Sequence, residues 1–253
     1  MRLLAAFSFL TVLPWPGRAG VRPGDIGAGL AWFPLVGLFI GGILFGLNMG
    51  LSLVLPAAVT SALLLGVMVI LSGGLHLDGF MDTCDGIFCK KTARERWQVM
   101  SDSRVGAFGV AAAFLLLITL YGGLSSLGTE ARGLALLLMP VLGRWAMVFS
   151  LFAFPAAKPE GLGQFFQSMA TGRRLALATV IAVAAVGGLL FLWGAVPLLS
   201  GLGLFLVVWG MAWALGRLFV RRFGGLTGDN YGAVNEISQV VGLLFVVLLP
   251  RWS

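Results

Sequence analysis

The sequence predicts an all-α, polytopic integral membrane protein, and two observations lead to this fold class. The mean hydropathy is +1.00 and only 11% of the 253 residues are charged, whereas a soluble domain carries about a quarter of charged residues. Apolar stretches long enough to cross a bilayer recur along the chain, and helices satisfy their own backbone polar groups there. We therefore expect a single membrane domain over residues 1–253.

The chain begins with a short apolar segment, residues 1–13, that contains a single arginine, Arg2. It is similar to a signal peptide, but Pro14, Trp15 and Pro16 stand where a small-residue cleavage site would follow. We expect instead a retained N-terminal helix that lies at the membrane interface, anchored by Trp15.

Apolar runs with the length of membrane-spanning helices follow in order. They cover residues 28–48, 51–72, 105–124, 133–157, 175–194 and 196–218. One more, residues 237–252, is shorter and begins inside a polar segment. We therefore predict about seven transmembrane helices, with six as the nearest alternative.

The positively charged residues predict the orientation, because cytoplasmic loops gather Lys and Arg. With the N-terminus in the cytoplasm, 14 of the 17 Lys and Arg residues fall on that side. The net charge of +7 then has a topological explanation, so nucleic-acid binding need not be invoked. Every acidic residue except Glu130 falls on the same side. We expect the catalytic face there, formed mainly by residues 73–109, 155–174 and 224–236.

The first of these stretches holds half of the ten acidic residues of the chain. A helix over residues 75–87 would place Asp78, Asp82 and Asp85 at i, i+4 and i+7, on one side. Such close like charges repel by about 1–3 kcal/mol per pair at an effective dielectric near 20, so they need a shared cation or bound protons. Mg²⁺ fits, because it takes carboxylate oxygens and completes its shell with water or phosphate. A solvated acidic loop is the alternative.

Two glycines in this helix, Gly79 and Gly86, each directly follow an aspartate. We expect them to let a bulky anionic group approach the backbone, because glycine has no Cβ. After the helix, Asp102 or Ser103 suits the N-cap of the third span. A helix N-terminus beside Arg104 would attract an anion, with a capped span and an interfacial arginine as the alternative.

Arg144 lies near the middle of the fourth predicted span. A cation in hydrocarbon costs about 2.5–3.5 kcal/mol on insertion scales, so we expect it to face either a substrate phosphate or a carboxylate inside the bundle. Lys158 follows in a glycine-bearing loop that could fold over the membrane surface. Both residues are candidates for substrate binding.

The last polar stretch, residues 224–236, places Asp229 and Glu236 on one helical face and adds the amides of Asn230 and Asn235. We expect these groups to supply further metal ligands or to bind a ribose or nucleobase. The alternative is a polar cap on the last span.

At these residues the chain resembles the cobalamin synthases, also called adenosylcobinamide-GDP ribazoletransferases. The matching stretches are, in order, TVLPWPG, WFPLVG, GGLHLDGFMDTCDG, SDSRVGAFG, GR, KPEGLG and GLTGDNYGA. The resemblance covers most of the chain. It implies a bacterial or archaeal inner-membrane enzyme that joins α-ribazole, or its 5′-phosphate, to adenosylcobinamide-GDP, with Mg²⁺ as cofactor and GMP as product. Phe80, Cys84 and Lys158 depart from the pattern, and the lysine lacks the bidentate fork of an arginine.

The residues and the resemblance together predict a set of roles. The metal ligands would be Asp78, Asp82 and Asp85, and the catalytic residues would be Asp82, Asp85, His76 and Arg104. The substrate-binding residues would be Asp102, Arg144, Lys158, Asp229, Asn230, Asn235 and Glu236. In this hypothesis Mg²⁺ binds the diphosphate, a ribazole hydroxyl attacks the phosphorus bound to cobinamide, and Arg104 offsets the charge of the leaving GMP. A carboxylate or His76 would accept the hydroxyl proton, although a lone histidine is more often a structural group.

Two other classes of membrane protein share parts of this pattern. A CDP-alcohol phosphotransferase also uses clustered aspartates and Mg²⁺, but its motif has an Ala-Arg pair between them, which residues 80–84 lack. A transporter would carry charges near the bilayer midplane and broken spans in paired positions, whereas here only Arg144 lies deep. The expected partners are the two small-molecule substrates and the lipid bilayer, and a homo-oligomer is left open.

Overall fold

The computed structural model describes residues 1–16, 20–89, 92–194 and 198–249. Within these ranges the chain forms α-helices and one isolated β-bridge. The helices are α1 (Arg2–Leu10), α2 (Pro23–Ala28), α3 (Phe33–Leu51), α4 (Ala57–Leu71), α5 (Leu75–Phe88), α6 (Ala93–Met100), α7 (Ala107–Ser126), α8 (Thr129–Ala153), α9 (Leu162–Met169), α10 (Gly172–Leu192), α11 (Leu198–Phe223) and α12 (Gly228–Val247). The start of the predicted span 196–218 and the end of the predicted span 237–252 lie outside the described ranges. So do four of the 17 positive residues that were counted for the orientation, namely Arg18, Lys90, Lys91 and Arg251.

Five stretches are long and apolar enough to cross a membrane. They are Leu30–Leu51, Ala107–Ser126, Thr129–Ala153, Gly172–Leu192 and Ser200–Phe223. Helices α4 and α5 pass the same test only as a pair, so the described chain has up to six candidate spans. The all-α membrane fold is confirmed and six spans lie within the observed range, but the predicted count of seven is not confirmed.

Two glycines produce a sharp bend between α4 and α5. Gly73 and Gly74 have φ values of +63° and +70°, a region that residues with a Cβ rarely adopt. The two helices are bent by 89° at this break. The predicted helix over residues 75–87 is confirmed, and the bend gives it a direction different from that of α4.

Helix α8 is the centre of the bundle, and residues 131–151 are buried along its whole length. Its most extensive contacts are with α3 and α12. On α3, a Cβ added at Gly41 would lie 2.8 Å from the carbonyl oxygen of Leu136. Small residues at such crossings let membrane helices pack backbone to backbone, so the glycine holds α3 against the central helix.

Helices α5 and α12 pack at equally short range. A Cβ at Gly79 would lie 2.9 Å from the Cα of Asp229, and a Cβ at Gly232 would lie 2.8 Å from the carbonyl oxygen of His76. Any side chain at either position would push the two helices apart. The expectation that Gly79 and Gly86 admit an anionic group is therefore corrected, because Gly79 admits α12 and Gly86 packs against α6 and α11.

A short bridge joins the loop after α8 to the loop before α12. The backbone N–H of Ala157 donates to the carbonyl of Leu226 at 2.9 Å, and the N–H of Leu226 donates to the carbonyl of Pro155 at 2.9 Å. Lys158 directly follows this bridge, so the two loops hold it close to the start of α12.

The N-terminal segment is helical, as predicted, over Arg2–Leu10. Helix α1 packs against α2 and α3, with Ala5, Ala6 and Leu10 buried. Its position at the membrane interface stays a prediction.

Candidate active site

Three carboxylates from two helices gather where α5 and α12 meet. The side chain of Asp82 interacts electrostatically with Asp78, Asp229 and Asp85, and that of Asp229 interacts with Asp78 and Lys158. Asp78 is exposed, whereas Asp82 and Asp229 are half-buried. We call Asp78, Asp82 and Asp229 the carboxylate cluster. It is reachable from solvent, as a site that handles a charged substrate must be.

Asp85 belongs to the same helix but has a different environment. It is buried, its Oδ2 accepts a hydrogen bond from the Gly106 N–H at 2.9 Å, and its Oδ1 accepts one from the Gly109 N–H at 2.8 Å. These donors are free N–H groups at the start of α7, so Asp85 caps that helix from outside. The expectation of a cap from Asp102 or Ser103 is wrong, because the chain enters α7 only at Gly106.

The cap of α7 depends on glycine at the contact. A Cβ at Gly109 would lie 2.5 Å from Oδ2 of Asp85, too close for the carboxylate to keep its place. Both carboxylate oxygens are thus used to join α5 to α7. The metal and catalytic roles of Asp85 stay predictions that these contacts do not favour.

Metal binding by the aspartates is likewise a prediction. Within the described ranges, no group of three or more His, Cys, Asp and Glu residues has the arrangement of a metal site. The structure nevertheless brings Asp229 close to Asp78 and Asp82. From the sequence, Asp229 was expected only as a further metal ligand. Asp229 of α12 is half-buried and partly open to solvent, whereas Asp85 is buried and both of its oxygens accept hydrogen bonds from α7.

Asp102 and Arg104 pair with each other in the loop before α7. The Nη2 of Arg104 donates to Oδ2 of Asp102 at 2.8 Å, and the arginine side chain is 88% exposed. The side-chain hydrogen bond from Arg104 is the largest effect that lowers the pKa of Asp102 to about 2. Asp102 is therefore ionised at neutral pH, and contact of either residue with substrate stays a prediction.

Lys158 lies beside the cluster, as its predicted role requires. Its Nζ donates to Oγ of Ser101 at 3.4 Å, stands 6.0 Å from the centre of the Trp97 ring and interacts with Asp229. The lysine therefore bridges α6 and the start of α12. It lines a cavity of about 200 Å³, which we call the lysine cavity. The cavity is lined by Lys158, Glu160, Gly161, Leu162, Gly163, Gln164, Leu226, Thr227, Gly228 and Asp229.

Asn230 was predicted to bind substrate, but its side chain is fully buried. Its Oδ1 accepts from the N–H of Thr227 at 2.9 Å, and its Nδ2 donates to Oγ1 of Thr83 at 3.0 Å. The first contact is part of a capping box at the start of α12. Asn230 thus holds α12 on α5 rather than facing a ligand. Thr83 and Thr227 were missed, although the Thr-x-x-Asn spacing was a signal for the cap.

Arg144, Asn235 and Glu236 lie inside the bundle. Oε1 of Glu236 accepts from Nδ2 of Asn235 at 3.0 Å, and Oε2 accepts from Nε2 of Gln239 at 3.1 Å. Arg144 is 1% exposed and interacts electrostatically with Glu236 and His76. Within the described residues the side chains of Arg144 and Glu236 form no ion pair, and Nε and Nη1 of Arg144 have no hydrogen-bond partner. Both alternatives for Arg144, a substrate phosphate and a carboxylate inside the bundle, therefore stay predictions. The predicted substrate contacts of Asn235 and Glu236 are not supported, because both side chains are buried away from solvent.

A second cavity, of about 110 Å³, adjoins the cluster on the other side of Asp229, and we call it the aromatic cavity. It is lined by Phe9, Phe33, Leu75, His76, Asp78, Met147, Leu151, Leu162, Phe166, Gly228, Asp229, Tyr231 and Gly232. His76 is 1% exposed, so its role as general base stays a prediction. The aromatic residues were not singled out from the sequence, since isolated phenylalanines are ordinary in membrane helices.

Comparison with known proteins agrees with the resemblance seen in the motifs. The family model described as Cobalamin-5-phosphate synthase matches residues 2–247. A protein of Roseiflexus sp. (strain RS-1) named adenosylcobinamide-GDP ribazoletransferase is 36% identical over 249 residues, covering 96% of this chain and 88% of the relative. Proteins with the same name from Desulforamulus reducens and Synechococcus sp. (strain ATCC 27144) are 36% and 38% identical, covering 98% and 94% of this chain and 96% and 93% of theirs. No solved structure matches.

These matches favour the predicted family over a CDP-alcohol phosphotransferase or a transporter. The shared sequence extends from the N-terminal helix α1 to the end of α12. It therefore includes both helices of the carboxylate cluster and the loop that carries Lys158. The chain belongs to the cobalamin-5-phosphate synthase family.

Proposed function

We propose that this chain is a membrane transferase that joins α-ribazole, or its 5′-phosphate, to adenosylcobinamide-GDP and releases GMP, which completes the nucleotide loop of cobalamin. One observation carries the proposal beyond family membership. The carboxylate cluster and Lys158 meet at a solvent-accessible end of the bundle, where opposite charges can hold a metal-bound diphosphate.

Asp78, Asp82 and Asp229 are the residues that we propose to hold Mg²⁺. Their carboxylate oxygens are the donors that this ion prefers, and the close contact at Gly79 keeps the two helices in register. Asp229 replaces Asp85 in the set, because both oxygens of Asp85 accept hydrogen bonds from α7. When bound, Mg²⁺ would supply positive charge to the diphosphate and to the leaving phosphate.

The residues of the chain then act on two substrates. Lys158 binds the diphosphate of adenosylcobinamide-GDP from the lysine cavity. A hydroxyl of α-ribazole attacks the phosphorus bound to cobinamide, the bond from that phosphorus to the bridging oxygen breaks, and GMP leaves with the bonding electrons. The hydroxyl proton passes to a carboxylate of the cluster, for which we propose half-buried Asp82, because it interacts with both other members of the cluster.

We place this site on the cytoplasmic face of a bacterial inner membrane. The segments that carry it also carry Arg94, Arg96, Lys158, Arg173 and Arg174, and positive residues mark cytoplasmic loops. The relatives come from bacteria, which supports a bacterial membrane.

The test uses the full-length protein purified in detergent, with adenosylcobinamide-GDP, α-ribazole and Mg²⁺. We expect GMP and adenosylcobalamin to form in equal amounts, to stop when EDTA removes the metal and to resume when Mg²⁺ is restored. A parallel reaction with α-ribazole 5′-phosphate defines the acceptor. Transport of corrinoid into vesicles without GMP release would refute the transferase, and turnover that EDTA leaves unchanged would remove the metal from the proposal.

A further inference from the structure

Two cavities of different chemistry share one wall at the carboxylate cluster. Leu162, Gly228 and Asp229 line both the aromatic cavity and the lysine cavity. The lysine cavity offers the cation of Lys158, the carboxylates of Glu160 and Asp229 and exposed glycine backbone, which together suit a metal-bound anion. The aromatic cavity offers mainly apolar side chains. Such a pair of cavities fits a reaction between an anionic substrate and a neutral aromatic one.

The walls of the aromatic cavity converge from separate parts of the chain. Phe9 of α1, Phe33 of α3 and Phe166 of α9 surround it, with ring centroids 4.9 Å apart for Phe9 and Phe166 and 6.3 Å apart for Phe33 and Phe166. These spacings are those of aromatic pairs that favour edge-to-face or offset contacts. A flat aromatic ring inserted here would gain the same contacts.

Two buried polar residues lie among these apolar walls. His76 is 1% exposed and Tyr231 is 3% exposed, and both line the aromatic cavity. In the described part of the chain, neither ring nitrogen of His76 nor the hydroxyl of Tyr231 has a hydrogen-bond partner. Buried polar atoms are almost always satisfied in proteins, so these groups point to a ligand or water that carries matching polar atoms.

The lining of the cavity includes both buried and exposed residues. His76 and Tyr231 are buried, whereas Asp78 is exposed and Asp229 half-buried. A volume of about 110 Å³ is below the roughly 300–1,000 Å³ of sites that enclose a whole drug-sized ligand. It suits one ring system, with the rest of the ligand extending toward the carboxylates, and it is too small for a corrin macrocycle.

We propose that the aromatic cavity binds the heterocyclic base of the acceptor nucleoside. This inference rests on the proposed function, in which the acceptor is α-ribazole. Its base is a neutral, fused aromatic ring with two methyl groups and one ring nitrogen free to accept a hydrogen bond. The phenylalanines contact the ring faces and edges, and Tyr231 or His76 donates to that nitrogen. The sugar then lies at Asp78 and Asp229, where its hydroxyl meets the diphosphate held from the lysine cavity.

Guanine is a less suitable occupant of the same cavity. Its edge carries several donors and acceptors, and most of them would face phenylalanine, leucine and methionine side chains without partners. Leaving one buried polar group unpaired weakens binding about 5- to 150-fold, so the cavity selects a base with a mostly apolar edge.

The test separates the two substrates by their KM values. Tyr231→Phe removes one hydroxyl, and Phe166→Leu removes one ring face. We expect both variants to raise the KM for α-ribazole about fivefold, by the net value of one buried hydrogen bond or ring contact, without changing the KM for adenosylcobinamide-GDP. Lys158→Ala should do the reverse. Tyr121→Phe changes the one other tyrosine of the chain, which lines an apolar groove beside α4, and should leave both KM values unchanged.

Calorimetric titration of α-ribazole into the protein without nucleotide gives a second readout that does not depend on turnover. If the wild type binds α-ribazole more tightly than Tyr231→Phe but transfers nothing, the cavity assignment stands and the proposed function fails. If transfer occurs and neither Tyr231→Phe nor Phe166→Leu alters the KM or the affinity for α-ribazole, the cavity assignment is overturned. A rise only in the KM for adenosylcobinamide-GDP would also overturn it.

Discussion

The interior of the bundle and its carboxylate end both contain charged groups, but they differ in how these charges are satisfied. Inside, Arg144 and Glu236 are buried, and Glu236 accepts hydrogen bonds from two neighbouring amides. At the end, Asp78, Asp82 and Asp229 gather with like charge, and Asp78 is exposed while the other two are half-buried. Inside, neighbouring amides donate to Glu236, while Nε and Nη1 of Arg144 have no hydrogen-bond partner in the described part of the chain. At the end, Oδ2 of Asp229 accepts from Oγ1 of Thr227 at 3.2 Å, and the exposed carboxylate of Asp78 can be reached by a cation and a substrate.

The two regions show that the solvent exposure of each polar residue in a membrane protein must be known before a function is assigned to it. In the sequence, Asp229 and Glu236 belong to one polar stretch and to one helical face, although they lie in different regions of the structure. Only the packing of α12 against α5 and α8 shows that Glu236 turns inward while Asp229, two turns earlier, reaches the open end. We therefore expect substitutions in the interior to lower stability and substitutions in the carboxylate cluster to lower turnover.

The largest expected effect is on stability, from Arg144→Ala. Arg144 and Glu236 are opposite charges buried inside the bundle that interact electrostatically. Removing one leaves the other uncompensated, which costs up to about 3–5 kcal/mol, so the free energy of unfolding in detergent should fall. The double variant Arg144→Met, Glu236→Met should recover much of the loss, because two apolar side chains replace two charges. A stable Arg144→Ala protein with a raised KM for adenosylcobinamide-GDP would instead mean that the arginine binds phosphate.

Asp82→Asn should have the largest effect on turnover. The amide keeps the shape of the side chain but lacks the charge that binds a cation and the basicity that accepts a proton, so we expect kcat to fall about 10²- to 10³-fold, as for loss of one group that stabilises a transition state. The melting temperature should not fall. Asp25→Asn, in α2, is the matched control. Near-normal GMP release by the Asp82 variant would remove the cluster from the mechanism.

Asp85→Ala tests to which of the two regions Asp85 belongs. This residue lies on the same helix as Asp78 and Asp82, but it is buried and its oxygens accept hydrogen bonds from the protein. Two N–H groups of α7 would lose their acceptor, and we expect the free energy of unfolding to fall by about 1–3 kcal/mol. Asp85→Asn, which retains one acceptor oxygen, should lose less. Should either variant keep its melting temperature and lose turnover as Asp82→Asn does, Asp85 would belong to the metal ligands.

The smallest of these effects should come from Gly79→Ala. The new Cβ would meet the backbone of Asp229 at 2.9 Å, so α5 and α12 must move apart by a few tenths of an ångström, and we expect a severalfold loss of kcat because the carboxylates separate. Gly66→Ala in α4, where a Cβ meets nothing within 4 Å, is the control. Equal kcat values for the two variants would show that the close contact does not set the geometry of the cluster.

The sequence was sufficient for features that depend on local periodicity. Hydropathy predicted the all-α membrane fold, and the spacing of Asp78, Asp82 and Asp85 fitted the helix over residues 75–87 that the structure shows. For the loop that carries Lys158, the glycines indicated only that it could fold over the membrane surface. Each of these signals lies within one segment of the chain, where helical geometry alone relates the residues.

Features that depend on tertiary contact could not be predicted in this way. The cap of α7 comes from Asp85, which lies 21 residues before Gly106 and 24 residues before Gly109 in the sequence. It forms because α5 packs beside these two glycines. The direction of Glu236 depends on which face of α12 meets α8. The aromatic cavity draws Phe9, Phe33 and Phe166 from three helices, and no spacing in the sequence relates them.

The bridge between Ala156 and Leu226 has a consequence for how the protein can vary. It makes neighbours of two residues separated by α9, α10 and α11, so the chain that leaves the site after α8 returns to it at this point. Insertions and deletions within α10 or α11 would leave Lys158 beside Asp229, because two backbone hydrogen bonds fix that distance independently of side-chain identity. The catalytic geometry is in this sense insulated from the lipid-facing helices, which are free to adapt to membranes of different thickness.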